Sequence, residues 1–217
     1  MVLVKTNIIQ FALVQYECNY FLSQLIGVEK RLCFREIMSY CEFCWTRPER
    51  DVHRIYHDQH YGFPIESDVE LFGRLILEIS QAGLSWETIL KKQNNIRDAF
   101  DGFDPFVIAG YNEEKIEQLL LDKGIIRNRL KIRAVIHNAR EVILLKEEFG
   151  SFRHWLDSQS ATSLEEWVKL FKRRFKFVGK EIVNEFLMST GYLPGAHRKD
   201  CPVFDRVVIA QPKWLKV

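Results

Sequence analysis

Apolar positions recur at helical spacing along most of the chain. Across residues 67–82, Leu71, Phe72, Leu75, Ile76 and Ile79 share one face. Ser67 with Glu70 forms an expected capping box at the start of that run, and Gly83 ends it. A second helix is predicted over residues 85–100 and a third after a cap at Asn112, with Ile116, Leu119 and Leu120 turned inward. After Gly124 a longer pattern covers residues 127–149 and stops at Gly150. Two more helices are expected, one capped by Ser163 with Glu166 and one over residues 179–190. No alternating β-branched run and no Asn-Gly hairpin signal interrupts the pattern. It predicts an all-α fold with both chain ends outside the helical bundle and no internal repeat.

Composition narrows the class without deciding it. Apolar residues make up 47% of the 217 and charged residues 28%, as in an ordinary globular protein. A formal charge of +2 excludes a strongly basic, histone-like binder but leaves local basic patches open. Cysteines 18, 33, 41, 44 and 201 are odd in number and unevenly spaced, unlike a secreted disulfide framework. A reducing, cytoplasmic setting is expected, where clustered Cys and His point to metal or catalysis. Glu17 splits the apolar amino-terminal stretch into two uncharged runs of eleven, too short to span a membrane. No small-x-small cleavage site stands out there.

Three constellations could carry chemistry. Glu78 stacks near Leu71, Leu75 and Ala82 at the border of an apolar helix face. There a carboxylate would be partly desolvated, and the turn at Gly83 would let Trp86 lie beside it. Spacing by itself equally fits a solvated helical Glu followed by a core Trp. His197 and Cys201, with three residues between them, could share one metal, and Cys41, Cys44 and His57 lie far upstream. Four nitrogen and sulfur ligands drawn from the two ends would make a closed structural zinc site. Finally, six basic residues and no acidic one fall within 123–140, and again within 169–180. Such runs are commonly solvated helix faces; they also suit a nucleic-acid backbone.

Longer motifs single out one family. Gln81-Ala82-Gly83-Leu84-Ser85-Trp86 is preceded by Tyr56-His57-Asp58 and followed by Phe103-Asp104-Pro105 and Gly124-Ile125-Ile126-Arg127-Asn128-Arg129. Lys131-Ile132, Asn138-Ala139 and Phe175-Lys176-Phe177-Val178-Gly179 continue the series. In this order, over roughly residues 41–201, the chain resembles the 3-methyladenine DNA glycosylase I family. The resemblance implies a helix-hairpin-helix fold and removal of 3-methyladenine from alkylated double-stranded DNA by base flipping, in base-excision repair. It implies that Glu78 contacts the flipped base and that Tyr56 and Trp86 stack around it. N3-alkylated adenine is cationic and leaves readily, so an aromatic face plus a carboxylate suffices to hold it. No lysine in the motifs marks itself as a lyase nucleophile, so a monofunctional enzyme is expected.

The resemblance also implies one structural zinc per chain, held by one Cys and one His from each end. Cys41, His57, His197 and Cys201 are the expected ligands, with Cys44 as the alternative to Cys41. Cys41 matches by the aromatic residue two positions on and by Pro48; Cys44 matches by its distance to His57. Gly124, Ile125, Arg127, Arg129 and Lys131 are expected to meet the DNA backbone. Members of the family begin a few residues before that cysteine, which here is Met38, so residues 1–37 read as an extension preceding a glycosylase domain at 38–217. Two departures bear on base preference: His53 stands where an aromatic pocket residue is common, and His60-Tyr61-Gly62 replaces Glu-Trp-Gly. A relative with another damaged-base preference and a non-catalytic, zinc-stabilised DNA-binding module are the competing readings. A monomer without membrane contact or protein partner is expected.

Overall fold

The computed structural model describes residues 38–161 and 163–216; the expected extension at 1–37 lies outside the described residues. No strand occurs among the described residues. Helices α1 (Tyr40–Trp45) and α2 (Val52–Gln59) lead into α3 (Asp68–Gln81) and α4 (Trp86–Ala99). A single 3-10 turn and α5 (Pro105–Ala109) precede α6 (Glu113–Leu121) and α7 (Arg129–Phe149). The chain then forms α8 (Phe152–Ser158), α9 (Leu164–Arg174), α10 (Lys180–Ser189) and α11 (Phe204–Ile209). No helix among the described residues is long and apolar enough to cross a membrane.

The long helices stand where apolar spacing and caps place them. Side chains of Ser67, Ser85, Asn112 and Ser163 each accept an N–H from the first turn of the helix they precede. Ser163 and Glu166 complete a capping box, but Ser67 and Glu70 do not. Glu70 instead gives both carboxylate oxygens to Arg97 of α4, at 2.5 and 3.0 Å. Helix α7 begins two residues later than its apolar pattern, because the Asn128 side chain accepts the N–H groups of Leu130 and Lys131. Gly150, at φ 86°, ends it in the left-handed region where glycine is strain-free.

Helix α3 is the hub. It packs against α4, α7, α8 and α10, and every residue from Leu75 to Gln81 is buried. Its first residue reaches across the fold, because Asp68 accepts the N–H groups of Phe152 and Arg153 at the start of α8, at 3.0 and 2.9 Å. Stacked and edge-on rings of Phe152, Trp155, Phe171, Phe175 and Phe186 fill the space between α8, α9 and α10. A smaller cluster of Cys41, Cys201, Val203 and Val207 joins the first described helix to the last.

Asn138 on α7 is fully buried and ties that helix to the segment entering α10. Its Oδ1 accepts the Lys176 N–H at 2.7 Å and its Nδ2 donates to the Lys176 carbonyl at 3.1 Å. Asn138→Ala removes both bonds to the Lys176 backbone, so urea unfolding should show a loss of about 1–3 kcal/mol. A midpoint equal to that of the unsubstituted protein would dismiss this tie.

Candidate active site and metal centre

Glu78 lies in the last turn of α3 with 0% of its surface exposed, deeper than its border position on the helical wheel predicts. Gly83, at φ 82°, reverses the chain after α3, and Ser85 caps α4 so that Trp86 is its first residue. Trp86 (1% exposed) and Tyr56 of α2 (3%) meet edge to face, centroids 5.1 Å apart at 62°. Tyr61 packs on Tyr56 at 5.5 Å. Burial, with the nearby carboxylates of Glu185 and Glu78, pushes the Tyr61 phenol well above its ordinary pKa. It stays a neutral donor, and its hydroxyl points to Glu185 Oε2 at 3.4 Å. Neutral rings and one buried carboxylate therefore share a water-poor site, where attraction between a cation and a carboxylate is strong.

Sequence reasoning missed part of this aromatic layer. His53 is buried, with Nδ1 3.1 Å from the Tyr40 hydroxyl and its ring edge-on to Phe43 at 5.1 Å. Tyr40 also meets the rings of His57 and Tyr61. Arg74, one turn before Glu78 on α3, donates from Nη1 to the Tyr56 phenol oxygen at 2.7 Å. A basic residue inside an otherwise buried helical run was the sequence signal for it. A cleft of about 300 Å³ reaches Tyr56 and Trp86 from the side of Arg74, Gln93 and Arg97.

Cys41, His57, His197 and Cys201 converge at full burial, with their candidate ligand atoms all within 4.8 Å of one another. Cys201 Sγ is 3.7 Å from His57 Nε2 and 3.6 Å from His197 Nδ1, and Cys41 Sγ is 3.9 Å from His197 Nδ1. Ligands roughly 2.0–2.3 Å from a tetrahedral metal sit roughly 3.3–3.8 Å apart, so this spacing fits one ion. The far ring nitrogens are held by partners that orient such ligands: His57 Nδ1 lies 2.6 Å from Asp58 Oδ1 and His197 Nε2 lies 2.8 Å from the Tyr61 carbonyl. Burial depresses both imidazoles, His197 to about 4, which keeps them neutral and able to bind a metal. It pushes the Cys41 thiol up to about 11. Cys44 lies outside this group; its thiol faces the His53 carbonyl at 3.6 Å.

The residues expected at the DNA backbone divide. They lie in or just after the hairpin between α6 and α7, where Arg127 is exposed. Arg129 is half-buried and pairs with Glu117 at 2.6 Å. Ile125 is buried in the core, and the Gly124 N–H is taken by Asp122 Oδ1 at 2.6 Å. Lys131 departs from the expectation. Its side chain is buried, and its ammonium donates to the carbonyls of Ser80 and Ala82 at 2.9 and 2.7 Å, so it caps α3 rather than facing solvent. Desolvation lowers its pKa.

A profile of the methyladenine glycosylase family matches residues 45–169. DNA-3-methyladenine glycosylase 1 of Escherichia coli strain K12 is 38% identical over 169 residues, covering 69% of this chain and 90% of that protein. DNA-3-methyladenine glycosylase of Haemophilus influenzae is 32% identical, covering 71% and 93%. Among solved structures, 3-methyladenine DNA glycosylase I from Staphylococcus aureus superposes with TM-score 0.67 at 31% identity, covering 74% of this chain and 95% of that one. Another 3-methyladenine DNA glycosylase I superposes with TM-score 0.66 at 36% identity, covering 71% and 95%. The matched span holds Tyr56, Glu78 and Trp86 in one all-helical glycosylase fold, and the chain belongs to the methyladenine glycosylase family.

Proposed function

We propose that this protein is a monofunctional DNA-3-methyladenine glycosylase that hydrolyses the N-glycosidic bond of 3-methyladenine flipped out of alkylated duplex DNA. The observation that carries the reading is the fully buried Glu78 carboxylate behind the edge-to-face pair of Tyr56 and Trp86. The alkylated base is a cation while bonded to the sugar and becomes neutral when it takes the bond's electron pair. Tyr56 and Trp86 stack on the extruded base and exclude water. Glu78 supplies the countercharge, and Tyr61 stands beside it as a neutral hydrogen-bonding wall. Water adds to the sugar carbon and gives up its proton, leaving an abasic site. Lys131, which reaches the motif at the Ala82 carbonyl, is tied to two carbonyls, which argues against its acting as an amine nucleophile.

Cys41, His57, His197 and Cys201 hold a structural zinc in this reading, closing the two ends of the domain on each other. The α6–α7 hairpin serves as a helix-hairpin-helix contact to DNA phosphates, with Arg127 as its exposed cation. Residues 38–217 make up the glycosylase domain, acting as a monomer.

The purified protein should release 3-methyladenine from methylated duplex DNA without borohydride-trappable strand nicking. Glu78→Gln keeps the side chain's shape but removes its charge. Release should fall about 10- to 100-fold, each tenfold corresponding to ~1.4 kcal/mol, with DNA binding retained. Unchanged release by Glu78→Gln would remove the carboxylate from recognition.

On DNA, Arg127→Ala should weaken binding to all duplexes about equally and lower the salt slope by about 1. Arg129→Ala should do less, because Glu117 already neutralises that guanidinium. A changed spectrum of released bases in either variant would overturn the backbone role.

Metal analysis should find one zinc per chain, lowered in Cys41→Ala and His197→Ala and retained in Cys44→Ala. Reloading at pH 7 should release about two protons per metal, since both sulfurs bind as thiolates, and affinity should weaken as pH falls. In the metal-free protein the depressed His197 pKa, about 4 against an ordinary 6.5, stabilises the fold above pH 6.5. That contribution should disappear as pH falls from 6.5 through about 4, visible as a falling thermal midpoint. Proton release near zero would contradict thiolate ligation.

A further inference from the structure

Arg74 and Glu78 lie one turn apart on α3. Glu70, one turn before Arg74, has both oxygens engaged by Arg97. Arg74 turns instead to α2, donating to the Tyr56 phenol oxygen at 2.7 Å with its guanidinium carbon 4.9 Å from that ring's centroid. It does so in the cleft that borders Tyr56 and Trp86, where the guanidinium remains half-buried.

We propose that Arg74 is a positioning residue for base recognition, fixing the Tyr56 ring against Trp86 and turning the phenol's proton away from the cleft. The proposal rests on the reading of Tyr56 as a base-stacking residue. A tyrosine on a short helix can swing about its side-chain torsions; a charge-assisted bond at the far end of the ring removes that freedom. Because the phenol has one proton and here accepts a bond from a cation, its own O–H must point elsewhere. The sign of the effect separates this role from a field effect. A guanidinium against the Tyr56 ring repels a cationic base, so a purely electrostatic role predicts tighter base binding when Arg74 is neutralised. Positioning predicts weaker binding.

The test compares the unsubstituted protein with Arg74→Met, Arg74→Lys, Tyr56→Phe and the Arg74→Met/Tyr56→Phe double variant, each labelled with 13C at the tyrosine ring carbon that bears the hydroxyl. The Tyr56 resonance, identified by its loss in Tyr56→Phe, should move in Arg74→Met and less in Arg74→Lys. Release of 3-methyladenine should fall about tenfold in kcat/KM in Arg74→Met, as for a modest misplacement of a recognition group, and recover in part in Arg74→Lys. The double variant should be no worse than Tyr56→Phe alone. An unmoved resonance, a gain in base affinity, or an undiminished Arg74→Met penalty in the Tyr56→Phe background would each overturn the proposal. If the resonance moves while the unsubstituted protein releases no 3-methyladenine, the bond stands but the reading of the site fails, and the recognition role of Arg74 fails with it.

Discussion

Removing a carboxylate from water costs several kcal/mol unless its surroundings repay that cost, and Glu78 adds a second difficulty by lying in the last turn of its helix. The carbonyl end of a helix carries partial negative charge and disfavours an anion there. Lys131 opposes the second effect. Its ammonium sits on the carbonyls of Ser80 and Ala82, placing a cation at the end of α3 where the dipole is negative. The lysine is itself desolvated, and the two carbonyls repay its burial. Helix α3 can therefore end in the core with an acidic residue aboard, and α4 can start immediately beyond Gly83 with Trp86 against Tyr56.

The metal-ligand cluster bears on the same site although it lies outside it. His57 follows Tyr56 directly on α2, so holding one imidazole sets the rotation of the helix that presents the other ring. His197 is bonded to the Tyr61 carbonyl, so the carboxy-terminal segment fixes the second tyrosine as well. Gly62 makes that approach feasible: a Cβ there would meet the Ala196 Cβ at 2.7 Å, and its φ of 82° suits glycine. An ion in this cluster would then be structural in chemistry and still shape recognition, because two walls of the aromatic pocket hang from its ligands.

What was legible in the sequence follows from range. Long helices announced themselves by spacing and by caps such as Ser85 and Asn112, which act within one turn. Helices α1, α2, α5, α8 and α11 did not, because 5–8 residues give too few turns for a period to register. The cysteines of the cluster were visible as residue types, but Cys41 and Cys44 are three apart on one helix and nearly share a face. Contacts with His197 and with the His53 carbonyl separate them in space. Partner choice was hidden wherever it crosses the chain. Glu70 looked committed to Ser67, yet Arg97, 27 residues on, takes both its oxygens. Lys131 looked like one more cation in a basic run, and its burial is decided by carbonyls 49 and 51 residues upstream.

That last contact would also link recognition to the proposed DNA attachment. The loop before α7 carries Arg127, and α7 carries Lys131 in its first turn, so in the proposed reading a phosphate held at that loop would be tied through Lys131 to the end of α3. Lys92 of α4 strengthens the connection by donating to the Lys123 carbonyl in the hairpin itself, at 2.6 Å. In the corner of residues 82–85 Leu84 is 37% exposed, while the helix ends that flank the corner, Gln81 and Trp86, are buried. Sequence-independent phosphate contact cannot choose a base, and a buried pocket cannot search a duplex. In the proposed reading the bonds from Lys92 and Lys131 join the two, so that backbone contact would set the distance between the duplex and Glu78. Flexibility at that corner would let the protein bind DNA at full affinity while presenting the extruded base to the wrong place.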